Sequence, residues 1–562
     1  MKTTVYNDLY TPEGESLTVG AWDVYPRPQL VRDSFFSLNG AWDFSTDEGK
    51  WGTITVPFPP ESLLSGVHRH MGKRPHLIYK KTFTLPAGFV NQRVLLHFGA
   101  VDQIATVTLN GTVLGEHRGG YAPFSFDITD ALLDTNTLVV KVTDNLSDKI
   151  LPYGKQCEKR GGMWYTPVSG IWQTVWIESV PAEYVRSLQI DTGADYAVIR
   201  ADGVANGTVT VTTPAGEIPV PMCDGVARVE LPSPRLWLPE DPYLYEFTVR
   251  TESDTVRSYF ALRTLDIRDV DGISRLCLNG KPYFFHGVLD QGYFSDGIFT
   301  PASPKCYDND ILAMKELGFN MLRKHIKIEP EYFYYACDRL GMIVFQDMVN
   351  NGDYSFFRDT ALPTVGIKSL PDGHLHRDPA TRQAFIRGME ETVAQLRNHP
   401  SVCCWTIFNE GWGQFDSDNM YRRLKALDSS RFIDTASGWF RGAASDVESE
   451  HVYFKPVKLK PSDKPLFLSE FGGYVYRVEG HVFNPDKTYG YRIFDDRQKF
   501  EDTLIALYEN EVIPQIGLGL CAAVYTQLSD VEDETNGLLT YDRKVCKVDA
   551  ARMREMAAKL KI

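Results

Sequence analysis

The chain has 562 residues and a formal net charge of −14, with 43% hydrophobic and 23% charged residues. This length predicts several domains, and the hydrophobic fraction excludes a disordered or fibrous chain. The acidic excess argues against nucleic acid or an anionic membrane as the main partner, because clustered Lys and Arg are needed to neutralise phosphates. No apolar run reaches the roughly 18–20 residues of a membrane-spanning helix.

The N-terminus shows no basic stretch followed by an apolar stretch, so we expect no signal peptide and a cytoplasmic protein. The nine cysteines are scattered, mostly within apolar strings, and no pair has CxxC spacing. This pattern predicts buried thiols rather than disulfides or metal ligands. We expect no cofactor and no metal, and a homo-oligomer is compatible with the sequence.

Residues 1–182 have the sequence pattern of an all-β domain. Apolar and polar residues alternate on both sides of Asn110-Gly111, a dipeptide that adopts the positive φ angles of a tight hairpin turn. Short strands separated by Gly and Pro predict a β-sandwich here. A second β segment, residues 183–268, is long enough for a small immunoglobulin-like sandwich.

From residue 269 to 562, apolar strings alternate with amphipathic helical windows. Asp378 is placed to cap the longest of these helices, with Pro379 at its first position. The alternation predicts a (β/α)₈ TIM barrel. The strands are near-continuous apolar runs, as strands buried on both faces should be. The eight strand candidates lie near residues 284, 320, 343, 405, 433, 453, 468 and 522.

Two of these strands end in an acidic residue. One apolar run ends in Asn409-Glu410, and another ends in Glu470 followed by two glycines. Active sites of such barrels lie at the C-terminal ends of the strands, and a buried carboxylate costs free energy unless it is paired or used. Two carboxyl groups aimed at one cleft suit glycoside hydrolysis. We therefore predict Glu410 and Glu470 as a catalytic pair.

Several motifs, in order along the chain, resemble glycoside hydrolase family 2, the family of β-galactosidases, β-glucuronidases and β-mannosidases. The resemblance implies a sugar-binding-like jelly roll at 1–182, an immunoglobulin-like domain at 183–268 and a catalytic TIM barrel at 269–562. The motifs are LNGAWDF (38–44), TLNGTVLGEHRGGYAPFSFDIT (108–129), YTPVSGIWQTVWIE (165–178), RLWLPEDPYLY (235–245) and LNGKPYFFHGV (278–288).

The same resemblance implies roles for five residues. Glu410 is similar to the family's general acid/base, and Glu470 is similar to its nucleophile. Asn409 resembles the asparagine that holds the sugar 2-hydroxyl. Tyr453 resembles the tyrosine that orients the nucleophile, the alternative being an ordinary core tyrosine. Arg323 resembles the arginine that supports the nucleophile carboxylate, the alternative being a packing or surface role.

Four further residues are candidates for contact with sugar, and two of them, Asp290 and His325, follow the first and second strands in segments where the family pattern is not kept. Asp290 either binds sugar hydroxyls or caps a loop. His325 either contacts the ligand or packs at a strand end. Asp347 ends the third strand and either contacts sugar or has only a structural role. Trp439 either stacks on a sugar face or packs.

The implied activity is that of a retaining exo-β-glycosidase, which removes terminal non-reducing β-linked sugars by double displacement. A β-galactoside is the first candidate substrate. The β-glucuronidases of the family carry an Asn-x-Lys motif near the eighth strand, but this chain has Asn536-Gly537-Leu538 without the lysine. The alternatives are a β-glucuronidase or arabinosidase-like specificity, or a non-catalytic carbohydrate-binding relative.

Overall fold

The computed structural model describes residues 6–46, 49–364, 366–367, 371–373 and 375–562. Two antiparallel sheets form a first β-sandwich, with Trp42, Tyr79 and Leu96 in its core. The predicted hairpin is confirmed, since Asn110 and Gly111 have positive φ between two paired strands. One sheet has the order Phe36–Ser37, Val175–Val180, Arg93–Phe98, Phe124–Asp127, and the other has Trp51–Val56, Gly40–Thr46, His76–Phe83, Asn136–Thr143, Ile104–Leu109, Thr112–Arg118. Smaller elements are the paired strands Val101–Asp102 and Gly170–Ile171 and the 3₁₀ turns Leu63–Ser65 and Thr129–Ala131.

A second, smaller sandwich packs around Val209, Phe247 and Phe260. Its strands alternate buried and exposed residues, as strands with one solvated face do. One sheet has the order Ser187–Thr192, Tyr196–Asp202, Val226–Glu230, and the other has Gly216–Met222, Gly207–Thr213, Tyr245–Arg250, Thr255–Phe260. A small antiparallel sheet then leads into the barrel through Leu265–Val270, Ile273–Leu278 and Lys281–Pro282.

Eight parallel strands form the barrel, and the predicted fold class is confirmed. Almost every strand residue is buried, which explains the continuous apolar runs in the sequence. The strands are β1 (Phe285–Asp290), β2 (Met321–Lys324), β3 (Ile343–Asp347), β4 (Val402–Asn409), β5 (Phe432–Ser437), β6 (Glu448–Val452), β7 (Leu466–Gly472) and β8 (Leu520–Thr526). Their order in the sheet is β5-β4-β3-β2-β1-β8-β7-β6.

Helices cover the outside of most of the barrel. Asp378 caps the longest helix as predicted, since its side chain accepts a hydrogen bond from the Thr381 N–H at 2.8 Å. None of the described helices is long and apolar enough to span a membrane. The helices are Pro12–Glu15, Lys305–Glu316, Glu331–Leu340, Leu362–Thr364, Pro379–Leu396, Ser417–Leu427, Arg497–Leu507 and Ala550–Ala557, with irregular turns at Phe356–Ala361, Tyr508–Val512 and Ile513–Leu518. Strands Tyr474–Tyr476 and Arg492–Phe494 pair outside the barrel.

The barrel has a seam between β5 and β6, which are the two edges of the sheet. The connections at 438–447 and 453–465 are fully described and contain no helix, so the (β/α) alternation fails at these two positions. Side chains bridge the seam instead: Ser449 Oγ on β6 donates a hydrogen bond to Asp434 Oδ1 on β5 at 2.8 Å.

The segment before the first sandwich contacts all three domains, although it falls within the predicted first domain, 1–182. Thr11 binds the barrel residue Asp296 through its N–H at 2.8 Å and its hydroxyl at 2.6 Å. Trp22 donates to the Pro301 carbonyl at 2.8 Å. Leu30 lies in the core of the second sandwich. We call residues 6–35 the N-terminal strap.

Arg32, in this strap, joins the two sandwiches. Its guanidinium lies 2.7 Å from Asp254 Oδ2 in the second sandwich and 3.3 Å from Glu178 Oε2 in the first. All three side chains are nearly inaccessible. Removing one partner of a buried ion pair leaves an uncompensated charge, which makes such pairs sensitive to single substitutions.

Replacing Arg32 by Met should lower the stability of the domain junction by about 3–5 kcal/mol, because the buried Asp254 loses its cation, while Glu178 keeps its ion pair with Arg27 at 2.6 Å. Thermal unfolding followed by circular dichroism should show an earlier transition. The exposed Arg228 pairs with Glu230 at 2.6 Å, and the matched variant Arg228→Met should leave the transition unchanged. Equal melting of both variants would contradict this account of the junction.

Candidate active site

Glu410 and Glu470 both lie at the C-terminal mouth of the barrel. Glu410 directly follows β4, and Glu470 is within β7. The backbone of Glu410 has φ of 53°, a left-handed conformation that costs free energy in residues other than glycine. A hydrogen bond from the Glu410 N–H to the Ser437 carbonyl on β5, at 3.0 Å, holds this turn in place.

His451 on β6 brings the two acids together. Its Nδ1 lies 2.8 Å from Glu410 Oε1 and 3.5 Å from Glu470 Oε2. One imidazole nitrogen of His451, one carboxylate oxygen of Glu410 and one of Glu470 all lie within 4.8 Å of one another. An imidazole and two carboxylates also form a set of possible metal ligands, the only such set among the described residues.

Arg323 on β2 donates hydrogen bonds to several residues of the site, and its side chain is fully buried. Its Nη1 donates to Glu470 Oε1 at 3.1 Å and to the Ser469 carbonyl at 3.0 Å. Its Nη2 donates to Asn409 Oδ1 at 2.9 Å, and its Nε donates to Asp347 Oδ1 at 3.0 Å. The guanidinium therefore connects the ends of β3, β4 and β7.

The charges around Arg323 fix the ionisation of its neighbours. Burial alone would lower the pKa of Arg323, but Asp347 and Glu470 raise that pKa above its ordinary value. Burial would raise the pKa of Asp347, but Arg323 and His325 lower it. Burial lowers the pKa of His325 to about 3, so its ring is neutral while Nδ1 lies 2.6 Å from Asp347 Oδ2.

Tyr453 lies against the other side of Glu470. Its hydroxyl donates to Glu470 Oε2, and it lies 2.9 Å from the Thr526 hydroxyl at the end of β8. Burial and the charge of Glu470 raise the pKa of Tyr453 well above its ordinary value, so the phenol keeps its proton. The ring stacks on Tyr491 with the centroids 3.8 Å apart.

His451 is a site residue that was not predicted from the sequence, although a signal was available. His451 is two residues before the predicted Tyr453, and side chains two apart on a strand share a face. Its Nε2 lies 3.4 Å from Arg323 Nη1 and 3.1 Å from Ser437 Oγ. A guanidinium only donates, so Nε2 accepts and the ring proton is on Nδ1, facing Glu410.

The contacts of Trp439 and Asp290 bear on the alternatives that the sequence left open for these two residues. Trp439 Nε1 donates to the Glu410 carbonyl at 3.0 Å, so this ring supports the turn that carries Glu410. Asp290 ends β1 in a separate buried network, where Lys324 Nζ lies 2.5 Å from Oδ2 and the Gly292 N–H lies 2.8 Å from Oδ1. The side chain of Asp290 has no described hydrogen bond or ion pair with another of the nine predicted residues, although its backbone carbonyl accepts from the His325 N–H at 2.9 Å.

A loop of the first domain reaches the barrel mouth, which sequence spacing gave no means to predict. Trp164 stacks on Trp412, two residues after Glu410, with the ring centroids 5.3 Å apart. The Tyr165 hydroxyl donates to Glu534, which lies beyond β8. Lys155, also in this loop, lies with its ammonium 5.0 Å from the centre of the Trp412 ring.

Family models match most of the chain. "Glycosyl hydrolases family 2, TIM barrel domain" matches residues 269–556, "Glycosyl hydrolase 2 galactose-binding domain-like" matches 51–205, and "Glycosyl hydrolases family 2" matches 186–263. With its acidic pair at the mouth of an eight-stranded barrel, the chain belongs to glycosyl hydrolase family 2, as its motifs predicted.

Individual relatives are distant. A β-galactosidase of Thermoanaerobacter pseudethanolicus is 23% identical over 81% of this chain and 63% of the relative, so this chain spans less than two thirds of that protein. A β-glucuronidase of Chlorocebus aethiops is 25% identical over 74% of this chain and 71% of its own length.

Solved structures share the fold. The β-D-glucuronidase of Dictyoglomus thermophilum superposes with a TM-score of 0.73 at 19% identity, over 96% of this chain and 99% of that one. A β-galacturonidase of Eisenbergiella tayi superposes with a TM-score of 0.69 at 18% identity, over 95% and 99%.

Replacing Arg323 by Met should destabilise the barrel by about 3–5 kcal/mol at pH 7, because Asp347 and Glu470 lose their buried cation. In the native chain Arg323 helps to hold the pKa of Asp347 below 3.8 against burial, so this carboxylate stays ionised from pH 7 to pH 4, whereas in the variant burial raises the pKa with less opposition and Asp347 takes up a proton as the pH falls. The deficit of the variant should therefore shrink from pH 7 towards pH 4.

Thermal unfolding of the native chain and Arg323→Met across this pH range measures the deficit. The double variant Arg323→Met/Asp347→Asn should recover part of the lost stability at pH 7, since one uncompensated charge is removed. A deficit that is the same at every pH, or a double variant with additive losses, would contradict the electrostatic account.

Proposed function

We propose that this protein is a retaining exo-β-glycosidase that removes a terminal non-reducing sugar by double displacement. The observation that carries the proposal is the spacing of Glu410 and Glu470, whose nearest carboxylate oxygens lie within 4.8 Å. Carboxyl groups stand roughly 5–5.5 Å apart in retaining glycosidases and roughly 6.5–9.5 Å apart in inverting ones, which need room for a water molecule. The short spacing supports direct attack on the anomeric carbon.

In the first step, Glu470 attacks the anomeric carbon while Glu410 protonates the departing glycosidic oxygen. In the second step, Glu410 removes a proton from water, which displaces Glu470 with overall retention of configuration. Arg323 and Tyr453 each donate to a different oxygen of Glu470 and so orient it. Asn409 Oδ1 accepts from Arg323, which leaves its amide N–H groups to donate to the sugar 2-hydroxyl.

His451 determines which oxygen of Glu410 carries the proton. Because Nδ1–H donates to Glu410 Oε1 at 2.8 Å, the acidic proton belongs on Oε2. Trp439 holds the backbone of the same residue. General acid catalysis depends on this placement, since the proton must lie within hydrogen-bond reach of the leaving oxygen.

A β-galactoside is the first sugar to test. Relatives include both β-galactosidases and β-glucuronidases, so the family alone does not choose between them. Leu538 stands where a uronide-binding lysine is expected from the family pattern, which disfavours a β-glucuronide. An arabinosidase-like specificity stays an alternative. The presence of Glu410 and Glu470 together with Asn409 and Tyr453 favours an enzyme over a non-catalytic binding protein. A cytoplasmic location and a homo-oligomer also stay predictions.

Replacing Glu470 by Gln should lower kcat on an aryl β-galactoside by roughly 10⁴-fold or more, because the nucleophile is lost. The exposed Glu479→Gln on the same domain is the matched control and should keep full activity. Steady-state kinetics of both variants, with circular dichroism to verify folding, measure this. Normal turnover by Glu470→Gln would refute the nucleophile assignment.

Replacing Glu410 by Ala should cost roughly 10²–10⁴-fold on substrates with poor leaving groups and much less on dinitrophenyl glycosides, which depart without protonation. Added azide should restore turnover and give a β-glycosyl azide.

His451→Gln should show the same leaving-group dependence with a smaller loss of rate, since this change misplaces the proton of Glu410 rather than removing it. A loss independent of the leaving group would assign His451 a structural role only.

A further inference from the structure

Lys155 is a buried cation at the barrel mouth that the proposed mechanism does not use. Its residue is 7% exposed, and its ammonium makes no hydrogen bond or ion pair within the described part of the chain. Its neighbours are rings, with the centre of Trp412 at 5.0 Å and the centre of Tyr165 at 5.8 Å. The ammonium itself keeps contact with solvent, and its three N–H donors have no acceptor within the described residues, so an acceptor that enters from outside the chain can bind there.

Glu534 lies on the same wall of the site. It is 4% exposed, its Oε2 accepts from the Tyr165 hydroxyl, and its Oε1 lies 3.4 Å from Asn536 Nδ2. Each carboxylate oxygen has two lone pairs, so further donors fit. Burial raises the pKa of Glu534, and the charge of Lys155 is the largest influence opposing this rise. Both groups also contact Tyr165, Lys155 at the ring and Glu534 at the hydroxyl, and no direct ion pair joins them.

The backbone keeps Lys155 beside this wall. The Tyr165 N–H donates to the Lys155 carbonyl at 3.1 Å, so the cation and the phenol that binds Glu534 belong to one folded loop. On the barrel side, the Trp412 N–H donates to the Asn409 carbonyl at 2.9 Å, within the turn that carries Glu410. Lys155 therefore packs against Trp412, whose backbone closes the turn that carries Glu410.

We propose that Lys155 and Glu534 form a donor–acceptor pair that reads one neutral hydroxyl, at C4 or C6 of the bound sugar. The inference rests on the proposed glycosidase function and deepens it by naming an uncharged sugar as the substrate class. A hydroxyl accepts from the ammonium and donates to the carboxylate at the same time. The pair then selects sugars that carry this hydroxyl over sugars that lack it.

The surrounding charges favour a hydroxyl over a sugar carboxylate. A uronate next to Lys155 would also lie next to Glu534, and Glu470 is close enough to raise the pKa of Glu534 further. The nearby Arg160 is already paired with Glu532 at 3.1 Å and Asp533 at 3.4 Å. A bound anion would be repelled by Glu534 and Glu470, and Lys155 would be the cation left to attract it.

Calorimetry on the Glu470→Gln protein tests the pair without requiring turnover. Galactose, 4-deoxygalactose, 6-deoxygalactose and galacturonate would be titrated into this protein and into versions that also carry Lys155→Gln or Glu534→Gln. The exposed Lys159→Gln, in the same loop, is the matched control. Lys155→Gln keeps a hydrogen-bonding side chain, and circular dichroism verifies the fold of each protein.

We expect Lys155→Gln and Glu534→Gln each to weaken galactose binding about 10- to 100-fold, the range for a hydrogen bond to a charged group. One deoxy sugar should bind equally weakly to all proteins, because the hydroxyl that the pair contacts is absent. Equal weakening for every sugar would overturn the inference, as would tighter binding of galacturonate that depends on Lys155. If none of the sugars binds and the native chain hydrolyses no aryl β-glycoside, the glycosidase proposal itself fails.

Discussion

The site depends on one buried guanidinium at the centre of the barrel mouth. Arg323 contacts Asp347 on β3, Asn409 on β4 and Glu470 on β7, and it lies 3.4 Å from the imidazole of His451 on β6. β3 pairs with β4 and β6 pairs with β7, and a rigid five-donor fork is suited to joining acceptors from these two parts of the sheet at fixed angles. Because the same cation positions the proposed nucleophile and defines the tautomer of His451, the geometry of both carboxylates depends on it.

The sequence was sufficient for the fold and for the acidic pair because both leave local signals. Parallel strands buried on two faces must be apolar throughout, so an acid at the end of such a run is conspicuous, as at Glu410 and Glu470. Asp378 and the Asn110-Gly111 turn depend on their own backbone neighbours and were predicted for the same reason. Residue patterning also gave the three domains, and family resemblance supplied the sugar-binding-like jelly-roll type of the first domain and the roles of Arg323 and Tyr453.

Other features depend on contacts between distant segments and have no local signature. Lys155 and Glu534 are 379 residues apart and lie on loops, where spacing carries no information about proximity. Asp290 was a reasonable sugar ligand by position, but Lys324 from the next strand neutralises it. The seam between β5 and β6 was also missed, because the alternation of strands and helices does not reveal which strands fail to pair.

The N-terminal strap has a consequence for how the chain matures on the ribosome. Residues 6–35 are synthesised before both sandwiches and the barrel, yet Thr11 binds Asp296, the Trp22 indole donates to Pro301 and the Asn7 N–H donates to the Phe483 carbonyl. These acceptors emerge hundreds of residues later. The first sandwich can close as soon as residue 180 is available, but Asn7, Thr11 and Trp22 must wait until their acceptors in the barrel have been translated. Docking of the earliest residues is therefore one of the last events in assembly.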